Sequence, residues 1–313
     1  MKLGFIKSNF PNEQRVPLLP GHIDNFKNDI FIESGFGEHL NITDRDYEKK
    51  GAVILARSEI FKTCRGIFSL KLLQPDDYKY IQENQIIIGW THPKGSGKQF
   101  MIDQAIPKNL IVVDLDNKRP TVFFKNEEYS PNWVPEDFVY QNSFYAGYAG
   151  TIHALLNYGI LPTNTVKIAI LGSGNVSQGA FHAISKFSDN VRMFYRKTMF
   201  EFKTEISQFD VVINGIDVGN TGKSIISKNE QKKMKENCLI IDVAADVGNT
   251  IEGTDFTSIE KPIRYESETK LYFYAVPNTP TLAYRNTSEV ISEQFSKYVY
   301  SKDISLFLDL VGA

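Results

Sequence analysis

The sequence predicts an α/β protein made of two doubly wound domains, each built on a parallel sheet, with a cleft between them. Three observations carry this reading. A length of 313 residues suggests two domains at roughly 150 residues each. Short β-rich runs alternate with stretches of helical length through both halves, the pattern of βα units on a parallel sheet. One of these runs enters a Gly-x-Gly turn and then a helix, the arrangement of a Rossmann-like domain.

In the first third, strands are expected at residues 3–6, 30–32, 52–55, 66–70, 86–89 and 110–114, with helical stretches at 43–50 and 99–108. Residues 119–135 are punctuated by Pro and read as a loop. Residues 137–158 carry apolar side chains at helical spacing and stop at Gly159, with Pro162 beyond, which predicts a long connecting helix. A second series follows, with strands at 166–171, 191–195, 210–213 and 239–243 and helices at 176–186 and 228–235. Its apolar runs are of strand length and bounded by Gly, Asn and Asp, as in a buried parallel sheet, and 271–276 is its last strand. The tail, 282–310, places Val290, Ile291, Phe295, Val299 and Tyr300 at helical intervals and is expected to pack back on the first domain. The domains are therefore expected at 1–138 plus 286–313, the substrate domain, and at 139–285, the cofactor domain.

Composition excludes several classes. Hydrophobic residues at 42% and charged residues at 23% are the values of an ordinary globular chain, not of a disordered or fibrous one. Thirty-five Lys plus Arg against 37 Asp plus Glu leave a net charge of −2, without the basic surplus of an extended nucleic-acid footprint. Cys64 and Cys238 lie far apart and share no metal-ligand spacing, and no metal site is expected. No run approaches the ~20 apolar residues of a membrane span, and no signal-like segment opens the chain, so the expected location is the cytoplasm.

The sharpest local signal is the strand 166–171 running into Gly172, Ser173, Gly174, Asn175 and Val176. Gly172 suits a tight turn; Gly174, lacking Cβ, lets backbone approach a pyrophosphate over the positive end of the next helix; Ser177 supplies the small third residue. An NAD-specific site would end its second strand in a carboxylate for the ribose 2′-hydroxyl. Here the strand 191–195 runs into Arg196, Lys197 and Thr198, and no carboxylate appears until Glu201. A guanidinium, an ammonium and a hydroxyl make a receptor for a 2′-phosphate, so NADP is the favoured cofactor; the other reading is a solvated basic turn.

In the first half, Arg15, Lys71 and His92 follow three expected strands, and ligands of open α/β sheets gather beyond such ends. Arg15 offers a planar fork to a carboxylate, Lys71 polarises a neighbouring carbonyl, and His92 exchanges protons near neutral pH. Taken singly, each also has an ordinary explanation as a surface Arg, a solvated strand end and a capped loop His. Asp114 and Asp116 read as a strand-end turn and stand outside this chemistry.

The residues 4–7 and 13–18, Ser69-Leu70-Lys71, Trp90-Thr91-His92, Asp242-Val243-Ala244-Ala245-Asp246 and 274–280 together resemble the alanine dehydrogenase and pyridine nucleotide transhydrogenase superfamily, in order and approximate spacing over nearly the whole chain. The resemblance implies that Arg15 binds pyruvate, that Lys71 and His92 are catalytic, that Asp246 holds or orients an amine, that Asn278 belongs to the substrate site, and that the protein is a homo-oligomer. Trp90-Thr91-His92-Pro93 and the run 111–117 are most similar to the branch that reductively condenses pyruvate with the side-chain amine of ornithine, or lysine, using NADPH. Two rival readings stand beside it: an alanine dehydrogenase using ammonia, which shares the fold and most roles, and a non-catalytic NADP-binding module, against which the joint presence of Arg15, Lys71 and His92 weighs.

Overall fold

The computed structural model describes residues 1–116, 118–219, 224–244 and 248–313, and the chain divides into two compact units. Met1–Val139 and Tyr284–Ala313 form one; Tyr140–Ala283 form the other.

The first unit begins with β1 (Lys2–Ile6), β2 (Asp29–Glu33), α1 (Asp44–Glu48), β3 (Val53–Leu55), α2 (Arg57–Thr63), β4 (Gly66–Lys71) and β5 (Ile86–Trp90). α3 (Lys98–Phe100) continues into a π turn, Met101–Ala105, before β6 (Ile111–Asp114). These six strands are parallel in the order β3-β2-β1-β4-β5-β6, so the winding reverses between β1 and β4. Their apolar runs are continuous because both faces are covered: Phe68, Leu70, Ile86, Ile88, Ile111 and Val113 enter one core cluster, while Ile67, Ile87 and Val112 enter the opposite one.

Residues 119–135, expected as a loop, instead contain a hairpin of β7 (Thr121–Phe124) and β8 (Glu127–Tyr129), which extends the sheet antiparallel from β6. Its two-residue turn, Lys125-Asn126, has both φ angles positive, +47° and +66°, the geometry that matches the right-handed twist of paired strands. The nearby prolines obscured a β-branched and aromatic run.

In the second unit, α4 (Tyr140–Tyr158) leads to β9 (Ile168–Leu171), α5 (Asn175–Ile184), β10 (Val191–Phe194), α6 (Met199–Glu205), β11 (Val211–Asn214), α7 (Lys228–Gln231), β12 (Leu239–Asp242), β13 (Ile263–Glu266) and β14 (Leu271–Tyr274). The order is β10-β9-β11-β12-β14-β13, parallel except for β13, which pairs antiparallel with β14. Neither β13 nor α6 was legible as an element; β13 exposes Tyr265 and is a sheet edge, so it lacks the buried apolar run of its neighbours. α4 and α5 cross closely. A Cβ at Gly179 would lie 1.9 Å from the Phe144 carbonyl oxygen, and one at Gly147 would lie 1.8 Å from that of Val176.

α8 (Tyr284–Phe295), a following π turn (Ser296–Tyr300) and α9 (Ser305–Val311) return to the first unit. There Ile291, Phe295, Val299, Tyr300 and Phe307 join the cluster of Phe5, Phe68 and Trp90.

Candidate active site

Two candidate sites lie at carboxyl ends of parallel strands, one in each unit. In the first unit, β1, β4 and β5 are neighbours in the sheet, and the chain leaving each of them carries Arg15, Lys71 and His92. The structure brings these three together. The Arg15 guanidinium carbon and the Lys71 Nζ each stand 4.8 Å from the centroid of the Trp90 ring, and Lys71 is also 5.8 Å from that of Phe10. Such contacts let buried cations rest on aromatic faces. β4 bulges at Ser69 and Lys71 against β5, and Gly89 permits it: a Cβ there would lie 1.8 Å from the Ser69 carbonyl oxygen.

Sequence reasoning missed Glu13 and set Asp116 aside as part of a strand-end turn, yet these carboxylates hold Arg15 and His92. Glu13 accepts from Arg15 Nε at 2.8 Å, from Nη2 at 2.5 Å and from the Arg15 backbone N–H at 3.0 Å. Both side chains are buried, so the guanidinium plane is fixed against Trp90 by a bidentate, charge-assisted pair. Asp116 Oδ2 lies 2.8 Å from His92 Nε2. Fully buried Asp114 turns its Oδ1 to the backbone N–H groups of Thr91 at 3.1 Å, His92 at 3.4 Å and Asp116 at 3.4 Å. That carboxylate stabilises the turn in which His92 adopts φ +45°, a conformation non-glycine residues seldom take. The available signals were a Glu two residues before the Arg and an Asp-x-Asp at the end of the strand beside β5.

The charges adjust one another. Burial lowers the Lys71 pKa, against the pull of Asp116 and with the help of the Arg15 charge. The hydrogen bond that His92 donates to Asp116 raises the His92 pKa above its ordinary value, with burial opposing. Burial pushes the Asp116 carboxyl up, but its His92 hydrogen bond and the charges of Lys71, His92 and Arg15 outweigh that and hold it below the usual carboxylate range. Burial raises the Asp114 pKa. Asp116→Asn removes the leading cause of the raised His92 pKa, so the protonated imidazole should be lost at lower pH. The basic limb of the kcat profile is then expected to move toward lower pH, and a profile unchanged from wild type would show that Asp116 does not set the histidine's proton affinity.

In the second unit, a cavity of about 700 Å³ opens between the turns after β9 and β11, at the strand-order reversal, and is lined by Gly172, Ser173, Gly174, Arg196 and the segment 215–218. Gly172 has φ +101°, and Gly174 caps α5 with open space where a Cβ would stand. Ser177 is buried, donates from Oγ to the Leu171 carbonyl at 2.9 Å, and sits so close to Gly215 that a Cβ there would be 2.3 Å from its oxygen. An uncluttered glycine turn over the positive end of α5, whose first turn contains Asn175 and Val176 and no acidic residue, fits a dinucleotide pyrophosphate.

At the end of β10, Arg196 lines this cavity, whereas Lys197 is exposed outside its lining. Thr198 accepts the Tyr195 backbone N–H at 2.9 Å and so closes the turn before α6. Glu201 pairs with Arg192, which also reaches Glu205 at 3.1 Å. Asn278 lies in the second unit with φ +58°, its carbonyl accepting the Thr281 N–H at 3.1 Å. Asp246, like Asn117, lies outside the described residues. Among the described residues no group of three or more His, Cys, Asp or Glu is placed to hold a metal ion, and no helix is long and apolar enough to cross a membrane.

Comparison with known proteins identifies the family. The family model described as alanine dehydrogenase/PNT, N-terminal domain, matches residues 4–119, and its C-terminal-domain counterpart matches residues 175–304. The chain belongs to the alanine dehydrogenase/PNT family of nicotinamide-nucleotide-dependent oxidoreductases. Within it, the chain is 56% identical over 312 residues to N(5)-(carboxyethyl)ornithine synthase of Clostridium botulinum, covering 100% of this chain and 98% of that protein. It is also 56% identical over 310 residues to the protein of the same name from Lactococcus lactis, covering 99% of each. A solved L-alanine dehydrogenase shares the fold, with a TM-score of 0.80 at 19% identity, covering 99% of this chain and 93% of that one.

Proposed function

We propose that the protein catalyses the NADPH-dependent reductive condensation of pyruvate with the side-chain amine of ornithine, or of lysine, to give N5-(1-carboxyethyl)ornithine in the first case. The single observation that carries this reading is the 56% identity, over essentially full length, to relatives named for that synthase. The cluster of Arg15, Lys71 and His92 supports it by supplying the groups that the chemistry needs.

In this reading Arg15, held flat by Glu13, binds the pyruvate carboxylate. Lys71, whose proton is loosened by burial, polarises the keto oxygen and donates toward it. His92 takes a proton from the attacking amine as the carbinolamine forms, and returns one to the hydroxyl that leaves as water, giving the imine. Asp116 keeps a proton available on His92 for that second step. Gly172, Ser173, Gly174, Asn175 and Val176 hold the dinucleotide pyrophosphate, and Arg196, with Lys197 and Thr198 beside it, receives the 2′-phosphate. A bound nicotinamide nucleotide supplies the hydride that reduces the imine. Asp246 orients the amine, and Asn278 contributes to substrate binding.

A direct test is product identity. Pyruvate, ornithine and NADPH should yield a compound bearing a carboxyethyl group on the side-chain nitrogen, identified by fragmentation in a mass spectrometer. Recovery of alanine with ornithine unchanged would refute the reading.

A further inference from the structure

The segment that carries Arg15 has no regular secondary structure from residue 9 to residue 19, yet backbone groups of residues 16–19 pair with side chains distant in sequence. The Val16 N–H donates to Ser288 Oγ at 2.8 Å, and the Leu19 N–H donates to Ser292 Oγ at 2.8 Å. Tyr300 donates its hydroxyl to the Pro17 carbonyl at 3.2 Å, and Tyr47 donates its own to that of Leu18 at 2.9 Å. Ser288, Ser292, Tyr47 and Tyr300 are all fully buried. An irregular segment inside a protein needs such partners, because an orphaned N–H or carbonyl group is costly there.

Ser288, Ser292 and Ser296 recur every four residues along α8 and its π-turn continuation, and hence share a face. The first two hold the segment. Ser296, although buried, has a hydroxyl with no hydrogen-bond partner. The stripe therefore contains its own control. Ser288 bonds the residue immediately after Arg15, whose backbone N–H is in turn held by Glu13.

We infer that Ser288 is a positioning residue for Arg15, so that α8, from the far end of the chain, sets the register of the guanidinium that grips the keto acid. This rests on the reading of Arg15 as the carboxylate anchor. Loss of the bond frees the Val16 N–H and lets the backbone beside Arg15 shift, which should weaken ground-state binding of pyruvate. The chemistry of bound substrate, carried by Lys71 and His92, should be little affected.

The test compares Ser288→Ala, Ser292→Ala and Ser296→Ala in steady-state kinetics with pyruvate, together with thermal melting. Ser288→Ala is expected to raise the KM for pyruvate about five- to tenfold, the scale of one buried hydrogen bond, with kcat and the KM for NADPH near wild type. Ser292→Ala should have a smaller effect, Ser296→Ala none, and Ser288→Thr should restore the KM by returning the hydroxyl. If Ser288→Ala does not fold, Ser288→Cys, of similar size but a far weaker acceptor, gives the same comparison. A lowered melting temperature with an unchanged pyruvate KM, or equal KM changes in all three alanine variants, would overturn the inference. Arg15→Lys separates this failure from that of the underlying reading: if it too leaves the pyruvate KM unchanged, the anchor itself has been misassigned.

Discussion

His92→Gln is expected to lose turnover by roughly 10²- to 10⁴-fold, the usual contribution of a positioned acid–base group, while NADPH binding is retained. Glutamine keeps a hydrogen-bonding group near Asp116 but cannot shuttle a proton near neutral pH. The raised proton affinity conferred by Asp116 favours the cationic form that carbinolamine dehydration requires. The binding cavity attributed to the dinucleotide belongs to the other unit, so its affinity should survive. Because His92 sits at φ +45°, His92→Asn is a useful companion: asparagine tolerates that conformation well and also lacks the titrating ring. Cofactor titration by fluorescence and kcat under saturating substrates separate the effects. Near wild-type turnover in both variants, with unchanged melting, would make His92 structural and require another proton route.

Arg196→Ala is expected to weaken NADPH about tenfold to a hundredfold, since one charge-assisted hydrogen bond contributes about 1.5–3 kcal/mol. NADH should be affected much less. Arg196 is the basic residue of its turn that lines the cavity, and the first carboxylate after the strand, Glu201, is engaged by Arg192. Thr198 is occupied with the Tyr195 backbone, so Lys197→Ala and Thr198→Ala should each change the cofactor ratio less than Arg196→Ala. The ratio of the two dissociation constants is the quantity to measure. Equal weakening of NADPH and NADH, or a wild-type preference for NADH, would contradict the assignment of the 2′-phosphate to this turn.

Much of the fold was legible because buried parallel strands have continuous apolar runs, as in Ile86–Trp90 and Leu239–Asp242, and because Gly172 and Gly174 sit where strand gives way to helix. The hairpin at Thr121–Phe124 and Glu127–Tyr129 was hidden by surrounding prolines and by a Lys-Asn turn that lacks glycine. The close crossing of α4 and α5 depends on Gly147 and Gly179 meeting backbone from elsewhere in the chain, which a local reading of helix propensity does not reveal. In the site, the cations were found from their positions at strand ends. Their counter-charges were not, because Glu13 and Asp116 acquire meaning only when strand order places one loop beside the next.

In the proposed reaction the nitrogen donor is a side-chain amine. A side-chain ammonium with a pKa near ~10.4 is neutral in only about one molecule in a few thousand at pH 7, so attack on pyruvate needs deprotonation at the site. A free amino acid also brings a carboxylate and an α-ammonium by which a pocket orients its distal nitrogen, whereas ammonia brings neither. The most direct measurement is NADPH oxidation with pyruvate and varied ornithine, lysine or ammonium, with the mass of each product recorded. Catalytic efficiency is expected to be far higher with ornithine or lysine, with a carboxyethylated amino acid as product. If ammonium gives alanine at an efficiency equal to or above that for ornithine, the condensation is contradicted and the protein acts as an alanine dehydrogenase.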